Sequence, residues 1–369
     1  MLEFSGEERQ AICDTFDRLL SDNANEEALR KLIETESGFD NSLWQKMAEL
    51  GLTGLMVDPD YDGIGANIQE AEALMEVAGK YLYNGPFISS CVVAPALLQA
   101  SSNLSMVGPH LKNIASGNSI FAIAGCGQTG DWTQPPTVNA IQNADGWELS
   151  GPAHFITHAL AASHCLVIAN EGGERAVFLV DMNDCSVPAK YQSTDDKTLR
   201  LSNITFDSTQ ALRLEDVGEQ QIDGALHLAL IALAGEQVGG MRAMFEITIQ
   251  YLNTRFQFGE PIGRFQALKH MAADLLVDVE SASTVARIAA QAMASGSGDH
   301  VLLTYLAAFT CADNYRKVTA DAIQLHGGIA YTMEHPAHLY WRRAQTGQWL
   351  YASSDKFRDL YLLEMEAKL

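Results

Sequence analysis

Two changes of hydrophobic texture divide this chain, and they restrict its fold more than any single motif does. From Ser5 to about Gly117, apolar residues recur at helical spacing, with polar stops at Asp22–Asn25 and Gly38–Asn41. Ser42 is a plausible cap for a short helix through Trp44, Met47 and Leu50 that ends on Gly51, and Ile68, Leu74, Met75 and Ala78 restart a helix after the loop pairs Asp58-Pro59 and Asp62-Gly63. At about Asn118 the pattern becomes short runs: SIFAIAGC, TVNAIQ, GWELSGP, HFITHA, SHCLVIANE, RAVFLVDM and LSNITFD. Their Val, Ile, Phe and Thr pack well on a pleated surface and the Gly, Asn, Asp and Pro between them break it, so antiparallel strands of a compact β unit are expected. Helical texture returns at about Asp223, with candidate helices at 223–253, 265–294, 300–326 and 338–366, enough for a bundle. The expected architecture is α+β in three units: 1–117 helical, 118–222 β, and 223–369 a helical bundle.

Charge narrows the partners. The 369 residues carry 46 acidic against 24 basic side chains, a formal net charge of −22, which repels a phosphate backbone or an anionic membrane surface over most of the molecule. Neither nucleic acid nor a membrane is expected as a partner, although a locally basic pocket can still take a small anion. Cys13, Cys91, Cys126, Cys165, Cys185 and Cys311 form no CxxC pair and do not cluster with histidine, so neither a zinc site nor a disulfide framework is expected. The amphipathic, acidic start MLEFSGEERQAICDTF lacks the basic region and apolar run of a signal peptide, and no apolar run reaches membrane-spanning length. A cytoplasmic location fits.

The stretch RFQFGEPIGRFQALKHMAAD, from Arg255 to Asp274, joins two long periodic segments through a compact turn. Gly259, Pro261 and Gly263 stop helix propagation, and Arg255 presents a cation beside Phe258. The arrangement favours a docked anion; the alternative is an ordinary helix hairpin, with Arg255 paired to a surface carboxylate. QLHGG, Gln324 to Gly328, ends another long segment on two glycines. They serve either as a helix C-terminus or as a place where a ligand approaches the backbone beside the Gln324 amide. In HFITHA, Phe155 and Thr157 lie two residues apart and so share a strand face, where the hydroxyl needs a partner, either a planar heteroaromatic ring or a backbone carbonyl.

No GxGxxG follows a strand, and GxxxxGK[ST], GxSxG and HExxH are missing, which closes the usual routes to a nicotinamide, nucleotide-hydrolysing, hydrolase or metalloprotease reading. His326, His335 and His338 are close in sequence but not spaced as ligands on one helical face, and no metal is expected.

Taken together, RFQFGEPIGRFQALKHMAAD, AIQLHGGIAYTMEHPAHLYWRRA and LGLTGLMVDPDYDGIGA closely resemble the acyl-CoA dehydrogenase family, in the order and spacing that family shows. The resemblance implies an N-terminal helical domain, a central β domain and a C-terminal four-helix bundle. It also implies a tetramer with FAD bound between subunits, α,β-dehydrogenation of an acyl-CoA thioester, and electron transfer to an electron-transferring flavoprotein. Carried over by residue, it places Arg255, Phe258 and Gln266 on the pyrophosphate and adenine side of a neighbour's FAD. Gln324 and Gly328 fall at its adenosine end, and Phe155 and Thr157 face the isoalloxazine ring.

The departures bear on catalysis. The family puts a glutamate base either in a loop before the last helix or near the start of the first bundle helix. The loop position falls in QWLYASSDK, at or next to Tyr351, with Ser353 where a flavin-contacting threonine is usual; the helix position falls at about Ala229. A tyrosine with an ordinary pKa of about 10 stays protonated at neutral pH. Glu236 lies seven residues beyond Ala229, roughly 10 Å along the helix. The family's Thr-Glu-Pro stretch reads AGCGQTGDW here, Ala124 to Trp132. The expectation is therefore a subunit of a hetero-oligomeric dehydrogenase whose paralogous partner supplies the base, acting on a lipid or steroid side chain. The alternatives are a self-sufficient homotetramer with a displaced base, Glu236 or Glu334, and a flavin-free stabilising subunit.

Overall fold

The computed structural model describes residues 4–125, 127–144, 146–183 and 187–368, so two of the cysteines considered above, Cys126 and Cys185, lie outside the described residues. Six helices come first: α1 (Gly6–Asn23), α2 (Glu26–Leu32), α3 (Asn41–Glu49), α4 (Ile68–Lys80), α5 (Ala94–Gln99) and α6 (Leu104–Ala115). Their starts follow local chemistry. Ser5 caps α1 in a reciprocal pair, its Oγ accepting from Glu8 N at 3.2 Å while Glu8 Oε2 accepts from Ser5 N at 2.8 Å. Asp40, not the expected Ser42, caps α3, because its carboxylate reaches both Ser42 N and Leu43 N. Gly51, at φ 76°, ends that helix region as the sequence pattern predicts.

The β unit contains β1 (Phe121–Ala124), β2 (Asn139–Asn143), β3 (Gly146–Thr157), β4 (His164–Glu171), β5 (Glu174–Asp181), β6 (Lys190–Gln192) and β7 (Leu201–Arg213). The pairings β4–β2–β3–β7–β5–β4 close on themselves, with β1 added to β4 and β6 to β7. The expectation of purely antiparallel strands is corrected: β1 pairs with β4 in parallel, Phe121 opposite His164, and β2 touches β4 in parallel at Asn139–Asn170. The intervening β2–β3 hairpin supplies the long crossover that parallel pairing needs. GWELSGP and HFITHA form a single strand, bent by register shifts between Leu149 and Gly151 and between Ala153 and Ile156. Ala122, Val138, Leu149, Phe178 and Phe206 fill its interior.

The remaining helices are α7 (Glu219–Thr254), α8 (Gln266–Ala294), α9 (His300–His326), α10 (Ala337–Gly347) and α11 (Ser354–Glu366), with a small hairpin, β8 (Phe256–Gln257) and β9 (Glu260–Pro261), between α7 and α8. The expected single helix over 338–366 is broken: Tyr351 sits at φ 68°, and the Ser353 hydroxyl accepts from Lys356 N to start α11 afresh. α4 lies against α7 at backbone contact. A β-carbon on Gly79, Gly235 or Gly239 would come within 1.9, 2.3 or 1.8 Å of a backbone oxygen on the opposite helix, so glycine is required there. One buried apolar cluster runs through this joint, from Phe16 and Trp44 to Val238, Val279 and Tyr315. Among the described residues no helix is long and apolar enough to cross a membrane.

Candidate functional site

The end of β3 and the loop before α11 form one cleft. Phe155 and Thr157 line it together, as the shared strand face predicts, with Trp132, Gly125 and Tyr351 on the other walls. Alternation alone does not produce this. Phe155 at φ 55° and His158 at φ 56°, on either side of Thr157, lie in the left-handed region, a costly backbone for such residues. Trp132 is held by its N–H, which donates to Tyr351 O at 2.7 Å, and by an edge-on ring contact with Tyr351 at 5.1 Å. Gly125 makes room for it: a β-carbon there would fall 1.8 Å from the Trp132 Nε1.

These side chains leave little space. About 20 Å³ remains beside Phe155 and about 30 Å³ between Thr157, His158, Glu236 and Tyr351. A third space of about 10 Å³ lies between α7 and the loop at Leu350 and Ala352. Leu350 borders all three. A water needs roughly 10–15 Å³ measured this way, so each space holds a water or two and none holds a tricyclic ring.

Ionisable groups at the cleft are committed elsewhere. Glu236 accepts from Arg343 Nε at 2.7 Å, while the other nitrogens of this buried guanidinium donate to Thr198 O at 2.5 Å and Tyr83 O at 2.9 Å. Burial alone would lower the Arg343 pKa, but the charges of Glu236 and Asp196 outweigh it and hold the guanidinium protonated. Burial, reinforced by Glu236, pushes the Tyr351 phenol well up, so it stays protonated and accepts no proton. His158 is driven down to about 3 by burial and by Arg343 and Arg200; it is neutral, with Nε2 3.0 Å from Asn84 Oδ1. Ala229 is buried in α7. Glu334 lies on the exposed turn between α9 and α10, where its backbone carbonyl accepts from Arg30, and it lines none of these spaces.

The other five expected residues lie on a different, open face. Arg255 is the residue that ends α7, its N–H donating to Tyr251 O at 2.9 Å, and its exposed side chain makes no ion pair among the described residues. The paired-carboxylate alternative for Arg255 is therefore not what forms. Phe258 and Gly259, at φ 52° and 85°, turn the β8–β9 hairpin in the conformation two-residue hairpin turns favour, leaving the Phe258 ring 93 % exposed. Gln266 opens α8, whose first N–H groups have no side-chain cap. Across from them, Tyr251 stacks on His326 at 4.6 Å, joining the ends of α7 and α9. Gln324 is exposed there, and nothing lies within 4 Å of a β-carbon built on Gly327 or Gly328. None of the five lines the closed cleft.

Sequence reasoning missed Arg343 and the plugging role of Trp132 and Leu350. All three stretches were in view, YWRRA, AGCGQTGDW and QWLYASSDK, but which of two adjacent arginines turns inward depends on helix phase against three other elements.

Models of the acyl-CoA dehydrogenase N-terminal and C-terminal domains match residues 6–109 and 217–355. The chain belongs to the acyl-CoA dehydrogenase family. It is similar to acyl-CoA dehydrogenase IpdE2 of Mycolicibacterium smegmatis, 29 % identical over 339 residues that make up 92 % of each protein. It is also similar to acyl-CoA dehydrogenase FadE34 of Mycobacterium tuberculosis, 30 % identical over 313 residues, 82 % of this chain and 40 % of that one. A solved steroid ACAD variant, Tcur3481-Tcur3483, superposes with a TM-score of 0.90 at 25 % identity, over 98 % of this chain and 99 % of that one. The ChsE4-ChsE5 complex from Mycobacterium tuberculosis shares the fold, with a TM-score of 0.90 at 24 % identity over 99 % of each chain.

Proposed function

We propose that this chain is the half of a hetero-oligomeric acyl-CoA dehydrogenase that does not carry flavin in its own cleft, and that it completes the FAD site of a paralogous partner subunit. The observation that carries this reading is the closed cleft. The residues of the β3 face do not fit an isoalloxazine ring, because Trp132, Leu350 and Tyr351 fill the space it would need. No dehydrogenation step is therefore assigned to this chain's own cleft.

The open face does fit the other end of the cofactor. Arg255 offers an unpaired guanidinium, the start of α8 offers free N–H groups and the positive end of a helix, and Gly327–Gly328 admit close approach. Together with Gln266 and Gln324 they would hold the pyrophosphate and adenosine of the partner's FAD, and Phe258 would cover it. When bound, the flavin supplies the hydride acceptor for α,β-dehydrogenation of an acyl-CoA. The proton must go to a carboxylate of the partner, since Ala229 has no acid, Tyr351 stays protonated and Glu236 is tied to Arg343. An acyl-CoA with a bulky, steroid-linked side chain fits the steroid ACAD neighbour, an electron-transferring flavoprotein is the acceptor, and the cytoplasm is the compartment.

The test is the flavin content of the chain purified alone and with the product of a paralogous gene. The isolated chain is expected to be colourless, and the complex yellow with fewer flavins than subunits. A yellow isolated chain that bleaches with acyl-CoA and loses turnover as Glu236→Gln would instead establish the self-sufficient enzyme. A colourless complex would leave only the stabilising role.

A further inference from the structure

A larger space lies away from the cleft at the end of β3. A groove of about 720 Å³ opens between α1, α4, α7 and α8, a size usual for a small-molecule pocket. Its inner wall carries Glu72, buried at 3 % exposure, whose Oε1 has no hydrogen-bond partner among the described residues. A buried carboxyl oxygen left without a donor is costly, and such orphans call for an explanation.

The other charges on the walls decide what could satisfy it. Every cation there is already engaged. Arg9 donates through Nε and Nη2 to Glu70 Oε1 at 3.0 and 2.7 Å, and Lys80 donates to Asp17 at 2.8 Å. Arg242 donates to Glu76 at 3.1 Å and to Glu280 at 3.0 Å, and Arg287 lies 3.7 Å from the other oxygen of Glu76. An anion entering the groove would meet cations whose charge carboxylates already offset. The groups left over are acidic: Glu72 within the wall, and Glu246, exposed and without an ion pair among the described residues.

We infer that this groove binds a small organic cation bearing a primary ammonium group, anchored on the Glu72 carboxylate and drawn in by Glu246. The ammonium supplies the donors that Glu72 lacks. Burial and the neighbouring Glu76 raise the Glu72 pKa to about 8, against smaller lowering by Arg287 and Arg9, so the free carboxyl holds a proton at neutral pH. Cys13 and Cys311, two thiols that feel the Glu72 charge, are themselves pushed up, Cys13 to about 11, and stay thiols. Cation binding therefore displaces the Glu72 proton into solvent.

The experiment is calorimetric titration of the intact purified protein with 1,4-diaminobutane at pH 7, in two buffers of different ionisation heat. Saturable binding with proton release is expected, and Glu72→Gln should weaken it about tenfold or more, the loss typical of a charged hydrogen bond. Glu72→Gln should melt no lower than the parent, because it removes a buried acid, and Glu246→Gln should weaken binding less. Absence of saturable heat, an unchanged affinity in Glu72→Gln, or preferential binding of inorganic phosphate would each overturn the assignment. None of these outcomes depends on flavin, so they are independent of the half-subunit reading.

Discussion

The cleft at the end of β3 and the face at the ends of α7 and α9 are built from the same family pattern and have gone opposite ways. In the cleft, aromatic and aliphatic side chains meet one another: Trp132 on Tyr351, Gly125 vacated to admit the indole, Leu350 at the junction of three small spaces. On the open face, an unpaired arginine, a 93 % exposed phenylalanine and two glycines with nothing over them are left for something else to cover. A monomer gains nothing from an exposed Phe258, whereas an interface does. The contrast teaches that a family-like motif reports whose site it serves only when the matching cavity is measured.

Experiments can break that contrast, the largest effect coming from the joint behind the cleft. Arg343→Met strands Glu236 and frees Thr198 O and Tyr83 O, and should cost about 3–5 kcal/mol in chemical denaturation. If the loss is small, the cleft is held closed by aromatic packing rather than by this ion pair. Acid should act at the same place. His158 has its pKa depressed to about 3, below the unfolded value near 6.5, so the unfolded chain binds the extra proton between those values. Stability should fall as pH drops from about 6.5 toward 3, by on the order of a few kcal/mol, and a His158→Gln variant should show a shallower pH slope.

On the open face, Arg255→Ala should leave the melting of the isolated chain unchanged, since the side chain makes no ion pair among the described residues. In the co-purified complex it should weaken FAD retention by about 1.5–3 kcal/mol, roughly ten- to a hundredfold, read by equilibrium dialysis. Equal flavin retention would detach the open face from the cofactor. Gly125→Ala forces the indole of Trp132 aside and should cost about 1–3 kcal/mol by thermal melting. Tyr351→Phe should change stability by no more than about 0.5 kcal/mol and leave activity of the complex as it was. Tyr351→Glu, which puts a carboxylate at or next to where the family resemblance places the loop base, should still give no turnover in the isolated chain, because the ring has no room. Turnover there would sink the closed-cleft account.

Much of this organisation was legible in the chain before its coordinates. The switch to short β-branched runs at about Asn118 marked the β unit because period-two packing needs residues that helices tolerate poorly. The turn at Gly259 and the stop at Gly327 were readable because glycine is cheap in the left-handed region that both adopt. The break at Tyr351 was not readable. QWLYASS contains neither Gly nor Pro, and its positive φ occurs at Tyr351, whose carbonyl accepts from Trp132 N–H of another unit. The parallel β1–β4 pair escaped for a similar reason: alternation specifies a face, not the direction of a neighbour.

The sequence by itself determined the order of helical and β units, the family, and the missing carboxylate at Ala229 and Tyr351, because each is carried by residue type at a fixed spacing. Only the tertiary structure decided that Glu236 faces the cleft yet belongs to Arg343, that the cleft is filled, and that Arg255 is free. Those outcomes depend on volume and on which charges meet in space. Residues brought together from two units, Trp132 and Thr157 from the β unit and Tyr351 from the bundle, compete there for a space that no local pattern encodes.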